Sequence, residues 1–182
     1  MSHINYEFKA SATDINELEN KFKGLNPEFR GTDHQTDTYF NVPEGRMKLR
    51  EGNIENSLIF YERENLKDAK VSRILLYRHN PDPVLKEILT KVNGIKAVVK
   101  KERKIYFIDN VKFHFDNVEG LGSFIEVEAI DANGDLGIEK IREQCLFYAN
   151  FFGIRESDYI SHSYSDLIVG ISRQCKNNSL SD

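Results

Sequence analysis

Ile4, Tyr6 and Phe8 alternate with Asn5, Glu7 and Lys9, the two-residue period of a strand with one apolar and one polar face. The same alternation, bounded by turn residues, predicts eight strands near residues 3–10, 35–42, 45–51, 57–64, 70–79, 96–107, 110–118 and 123–130. Pro43-Glu44-Gly45, Asp109-Asn110 and Glu119-Gly120-Leu121-Gly122 separate neighbouring strands by hairpin-length gaps, so the sheet should be largely antiparallel. Eight strands are enough to close a barrel.

Helical periods interrupt the strands. After Thr13 or Asp14 as N-cap, Ile15, Leu18, Phe22 and Leu25 share one stripe; after Pro81, Val84, Leu85, Ile88, Leu89 and Val92 do so. A third helix near 136–152 carries Ile138, Ile141, Cys145, Leu146, Tyr148, Ala149 and Phe152 and stops at Gly153. Residues 157–168 read as a short helix. The expected organisation is one domain over residues 1–170 followed by a flexible tail over 171–182.

The polar faces hold charge of both signs. Lys112, His114 and Asp116 share one face of their strand, Glu126 and Glu128 another; Arg46, Lys48 and Arg50 align, as do Lys101 and Arg103. Amphipathic helices must cover the apolar faces, so closing the sheet turns the charged faces inward. A lumen of acids and bases is costly to keep without a ligand. The expected fold class is therefore α+β, an eight-stranded antiparallel closed β-barrel with helices packed outside and a charged tunnel within. Seven candidate cations (Lys9, Lys48, Arg50, Arg63, Arg73, Lys101, Arg103) against four candidate anions (Glu7, Asp116, Glu126, Glu128) suit a triphosphate accompanied by one hard divalent cation.

Composition narrows the partners. With 25 Lys plus Arg against 29 Asp plus Glu, the net charge of −4 argues against a nucleic-acid partner. Cys145 and Cys175 have no CxxC or CxxH around them, against a disulfide framework or a zinc site. No apolar run spans a bilayer and MSHINYEF lacks signal-peptide character, so the expectation is a cytoplasmic protein without membrane contact; a homodimer is left open.

NYEFK at residues 5–9, KLR at 48–50, KER at 101–103, Asp116 and EVE at 126–128 resemble, in order along the chain, the motifs of the CYTH superfamily, the triphosphate tunnel metalloenzymes. The resemblance covers residues 3 to about 168, and DNVEGLGSFIEVE with SYSDLI is most similar to the class IV adenylate cyclase branch. It implies Glu7, Glu126 and Glu128 as ligands of Mg2+ or Mn2+, with Asp116 nearby as a further ligand or as an acid supporting them. It implies that Lys9, Lys48, Arg50, Arg63, Arg73, Lys101 and Arg103 hold the triphosphate, with Glu7, Arg63, Asp116 and Glu126 in catalysis. A cyclase would direct the ribose 3′-hydroxyl of ATP at the α-phosphorus, releasing cyclic AMP and pyrophosphate. A triphosphatase would direct water at the terminal phosphorus of thiamine triphosphate, tripolyphosphate or a nucleoside triphosphate. A tunnel that only binds polyphosphate or nucleotide would keep the same charges. The chain departs from the family at Asn5, where the motif has its first glutamate, so one negative charge is missing from the metal side.

Simpler readings apply to some residues. Arg46 and Lys112 read as surface or rim, and a lone strand histidine such as His114 is more often a structural hydrogen-bonding group than a catalyst. DANGDLG at 131–137 is a turn and helix cap rather than a calcium loop, because Leu136 stands where that loop needs Gly. Removing Lys101 or Arg103 is expected to relieve cation repulsion and leave the ligand-free fold stable.

Overall fold

The computed structural model describes residues 2–63 and 70–178. Eight strands, β1 (Ser2–Ser11), β2 (Glu28–Phe40), β3 (Arg46–Glu51), β4 (Ser57–Arg63), β5 (Lys70–Arg78), β6 (Ile95–Ile108), β7 (Val111–Val118) and β8 (Gly122–Asp131), alternate with helices α1 (Ile15–Lys23), α2 (Pro83–Asn93), α3 (Ile138–Phe152) and α4 (Tyr164–Asn178). The strands close into a ring in the order β1-β5-β4-β3-β2-β6-β7-β8, with every neighbouring pair antiparallel. The predicted α+β class and closed antiparallel sheet are both present.

The core lies outside the ring. Phe8 and Ala10 of β1, Phe113 and Phe115 of β7, and Ile125 and Val127 of β8 are buried beneath Phe22 of α1 and Ile141, Cys145 and Phe152 of α3. The Phe22 ring stands 4.4 Å from that of Phe113 and 5.6 Å from that of Phe152; burying a side chain of that size contributes roughly 1.5–3 kcal/mol. Because each strand alternates its faces, committing this set to the helices turns Asn5, Glu7 and Lys9, and their counterparts on the other strands, into the lumen. Cys145 belongs to the core, as its helical stripe suggests; its Sγ donates to the Tyr6 carbonyl at 2.9 Å, and burial pushes its pKa up to about 12.

Local signals set the element ends. Asp14 caps α1 by accepting from the Glu17 amide at 2.9 Å, and Asp82 caps α2 by accepting from Val84. Gly153 takes the left-handed conformation that ends α3. Asp131 accepts from the amides of Gly134 and Gly137, which makes the DANGDLG segment the expected turn.

Three elements differ from the sequence expectation. β2 begins at Glu28 instead of residue 35, because it pairs with nearly the full length of the long β6, with an irregularity at Phe29/Gly31. Gly31 adopts φ 125° there, and a Cβ on it would come within 2.8 Å of Ile54. On α2, Val84, Ile88 and Val92 are exposed and no residue is buried. That helix is tied to the ring by polar contacts: Lys86 reaches Glu51 of β3 at 2.7 Å, and Asn41, just past β2, donates to the Asn93 carbonyl at 3.1 Å. The short helix predicted over 157–168 is replaced by a 3-10 turn at Glu156–Asp158 and by α4, which starts at Tyr164 and continues to Asn178 through most of the predicted tail.

Candidate active site

The ring encloses a cavity of about 920 Å³. Antiparallel register gives it two distinct ends. At one, the start of β1, the end of β5 and the end of β8 present Asn5, Arg78 and Ile130, with Asn80 and Asn133 beyond them. At the other, Ser163 and Tyr164 at the start of α4 lie across the lumen. Tyr164 donates its hydroxyl to Asp116 at 2.8 Å, and Lys9 Nζ sits 3.7 Å above its ring; burial, followed by Asp116 and Glu126, pushes the phenol well above its ordinary pKa. Asp166 in the same turn binds Arg46 at 3.0 Å and Lys96 at 3.3 Å, fixing α4 to the ring.

One wall is organised by a carboxylate. Asp37, fully buried on β2, receives Arg50 Nε at 2.9 Å and Arg50 Nη2 at 3.0 Å, together with Lys48 at 3.0 Å and Lys101 at 2.9 Å. Burial alone would raise its pKa, but Arg50, Lys101 and Lys48 hold it far below the usual carboxylate range. Three cations from two strands on either side of β2 thus converge on one anion, fixing long side chains that would otherwise repel one another. Lys101 carries the cost: burial, reinforced by Arg103, pushes it down to about 7 against the pull of Asp37.

Further round the ring, Arg103 forks onto Asp116 and also donates to Glu126 at 2.6 Å. Glu126 binds Lys9 at 2.9 Å. Burial would raise its pKa, yet Lys9 and Arg103 hold it well below normal. Burial pushes the neighbouring Glu128 up to about 7; Lys112 opposes this, while Glu7 and Glu126 add to it. Glu7 is in register with Glu128 on the adjacent β1 and accepts from Ser72 Oγ at 3.0 Å. His114, pushed down to about 3 by burial and by Arg103 and Lys112, is neutral. Ligand atoms of His114, Glu126 and Glu128 lie within 4.8 Å of one another. Two buried polar atoms on this side, Asn5 Oδ1 and His114 Nε2, have no hydrogen-bond partner. Carboxylates crowded enough to raise a pKa, beside unpartnered buried donor atoms, fit a hard divalent cation.

Residues 3–164 match the sequence pattern of the CYTH domain. The chain belongs to the CYTH family. A Methanocaldococcus jannaschii protein named as a candidate adenylate cyclase is 26% identical over 178 residues, covering 90% of this chain and 98% of its own. Among solved structures, a Pyrococcus horikoshii protein superposes with a TM-score of 0.76 at 24% identity, over 90% of this chain and 98% of that one. A Hippeastrum protein, described as a candidate adenylyl cyclase with a dominant triphosphatase activity, superposes with a TM-score of 0.61 at 14% identity, over 93% of this chain and 95% of that one. At these identities the two structures establish the shared fold.

The CYTH ring brings Glu7, Lys9, Lys48, Arg50, Lys101, Arg103, Glu126 and Glu128 to the one cavity. Asp116 stands behind it, fully buried and taken up by Arg103 and Tyr164, and in this arrangement it holds Arg103. Arg73 is not brought in: it is exposed on the outer face of β5, where Ser72 and Ile74 take the lumen side. Arg63 ends β4 and its side chain lies outside the described residues. Sequence reasoning missed Asp37 as the buried anion that gathers the cation wall, Glu55 as a lumen anion and Tyr164 as the end wall, and left Lys112 at the rim. Lys112 instead lines the cavity and donates to Glu55 at 2.5 Å, and Glu55 also accepts from Arg50 at 2.9 Å. Asp33 braces Glu55 by accepting from the amides of Ile54 and Glu55 at 2.8 and 2.9 Å. The alternation Asp33, Gln35, Asp37, Tyr39 in TDHQTDTYF was the available signal.

These additions change the charge balance. Among the described residues, Lys9, Lys48, Arg50, Arg78, Lys101, Arg103 and Lys112 line the cavity with Glu7, Glu55, Glu126 and Glu128, while the fully buried Asp37 and Asp116 pair with the cations from behind. Asp37 and Asp116 offset part of the cationic excess that the lining residues carry.

Proposed function

We propose that this CYTH protein is a divalent-metal-dependent enzyme acting on an organic triphosphate in its tunnel, with adenylate cyclisation of ATP to cyclic AMP and pyrophosphate as the leading reaction. One observation carries the reading: a wall of cations fixed by Asp37 shares a single cavity with a cluster of crowded carboxylates. Lys48, Arg50 and Lys101 would bind phosphate oxygens, with the Arg50 guanidinium already oriented by its fork onto Asp37. Lys9 and Arg103 lie between the two sides, bonded to Glu126, where they would meet charge developing on the transferred phosphoryl group. Glu7, Glu126 and Glu128 would hold Mg2+ or Mn2+. When bound, such an ion supplies neutralisation of phosphate charge and acidification of the attacking hydroxyl. Because several lumen cations are already paired to carboxylates, the metal side and the cation side would hold a triphosphate together.

Apolar side chains support an organic substrate. Ile59, Ile74, Leu76, Phe107 and Ile130 line the cavity beside the charged groups, offering a surface that bare tripolyphosphate would not use. Hydrolysis of the terminal phosphate is the second reading, favoured by the triphosphatase activity of the Hippeastrum protein of the same fold. Resolving the products of ATP incubated with Mn2+ or Mg2+, beside thiamine triphosphate and tripolyphosphate, separates the two. Cyclic AMP with pyrophosphate is the expected result. ADP with phosphate would replace it by the hydrolase reading, and no turnover of any triphosphate would overturn the enzymatic reading.

A pH dependence follows from Lys101. With its pKa pushed down to about 7, it is largely neutral in the free protein at pH 8, and a bound phosphate favours the charged form. Triphosphate binding above pH 7 should therefore take up a proton, and affinity should fall as pH rises from 7 to 9, by up to about tenfold per unit. Calorimetry in buffers of different ionisation enthalpy at pH 8 checks this, and Lys101→Met should abolish the uptake.

A further inference from the structure

We infer that His114 is a direct metal ligand, so that the site takes one manganese-class ion through a mixed set of oxygen and nitrogen donors. The inference rests on the metal-dependent reading above and concerns which of this chain's residues make the site. His114 and Glu126 are in register on β7 and β8. Nδ1 of His114 lies 3.3 Å from Glu126 Oε2 and 3.6 Å from Glu128 Oε1, and the three ligand atoms fall within 4.8 Å of one another. Donors around a single ion at bond lengths of roughly 2.0–2.2 Å stand about 3–4 Å apart, so the cluster needs only small rotations to close on one.

A structural role accounts poorly for this imidazole. The residue is 1% exposed, and Nδ1, the nitrogen that faces the carboxylates, makes one 3.3 Å contact to Glu126 and stands 3.6 Å from Glu128, so its lone pair is directed at the cluster while Nε2 on the far side of the ring has no partner. Asn5 is buried to the same degree on the lumen face of β1, and its Oδ1 also lacks a partner. With an amide at position 5, the site holds fewer charges than a set of four carboxylates would, and a neutral nitrogen donor supplies a ligand without adding charge. Imidazole nitrogen is a donor that the hard Mg2+ and Ca2+ ions, which take oxygen, rarely accept, whereas the first-row transition ions from Mn2+ onward bind it with rising affinity.

The test uses the full chain, stripped of metal and free of nucleotide, in a nitrogen-free buffer. Mn2+ is titrated in, and the bound ion is read by electron paramagnetic resonance with electron spin echo modulation. One Mn2+ per chain is expected, with a 14N coupling that changes to 15N when histidine is isotopically labelled. His114→Ala should weaken Mn2+ binding about 10- to 100-fold. His114→Asp should retain binding, lose the nitrogen coupling and shift preference toward Mg2+. Bound Mn2+ with no nitrogen coupling, or a coupling that persists in His114→Asp, overturns the ligand assignment and leaves the metal-dependent reading in place. Failure of the wild-type chain to bind Mn2+ overturns both.

Discussion

Glu128→Gln is expected to lower metal-dependent turnover of the triphosphate by at least about 100-fold while raising, or leaving unchanged, the melting temperature of the metal-free protein. The two effects have one cause. Glu128 is placed beside Glu7 and Glu126, and burial together with those neighbours pushes its pKa up to about 7. Without a cation, the charge is a liability to the fold near neutral pH; with one, it is a ligand. Gln keeps the size and removes the charge, so it should relieve the first and abolish the second. Steady-state rates over a range of Mn2+ and Mg2+, with thermal melts in chelator, check both halves. A variant that loses activity and stability together would place Glu128 in the fold instead of the site.

Arg103→Ala is expected to be the most damaging single change in the lumen. The sequence suggests that removing this cation relieves repulsion, and the structure reverses that expectation. Arg103 is 2% exposed, forks onto the fully buried Asp116 and reaches Glu126; burial would lower its pKa, yet these carboxylates hold it well above the ordinary value. Deleting it leaves Asp116 with no guanidinium and Glu126 with one cation fewer. Breaking a buried pair in this way costs about 3–5 kcal/mol, which for a chain of this size lowers the melting temperature by roughly 10 °C. Asp116→Asn in the same background should recover part of the loss, because it removes the charge left behind. Thermal and denaturant unfolding of the two variants measure the coupling. Lys101→Ala, by contrast, leaves Asp37 with Arg50 and Lys48 and should cost the fold little.

The contrast between Lys101 and Arg103 shows where sequence stops being informative. Alternation in INYEFKA, VKFHFDNV and FIEVEAI was enough to place each side chain on the lumen or on the core, since that depends only on strand parity. The ring and the membership of Glu7, Lys48, Arg50, Glu126 and Glu128 in one cavity follow from that parity. Partner choice inside the lumen does not, because it depends on register between strands distant in sequence. Asp37 meets Lys101 across 64 residues and Asp116 meets Tyr164 across 48. Arg73 failed for a related reason: its strand is apolar on both faces, with Leu75 and Tyr77 outside and Ile74 and Leu76 inside, so composition gave no parity. The stripe on α2 was legible as helix but not as exposed, since periodicity does not say which faces the rest of the chain covers.

The central claim is that cations fixed by Asp37 and a metal held opposite them bind a triphosphate jointly. Calorimetric titration of tripolyphosphate into the protein, with and without Mn2+, tests it most directly. One site per chain is predicted, at least about tenfold tighter with Mn2+ than in chelator and weakened by about 2 kcal/mol or more in Arg50→Ala. Binding that ignores both Mn2+ and Arg50, or no binding under either condition, would contradict it.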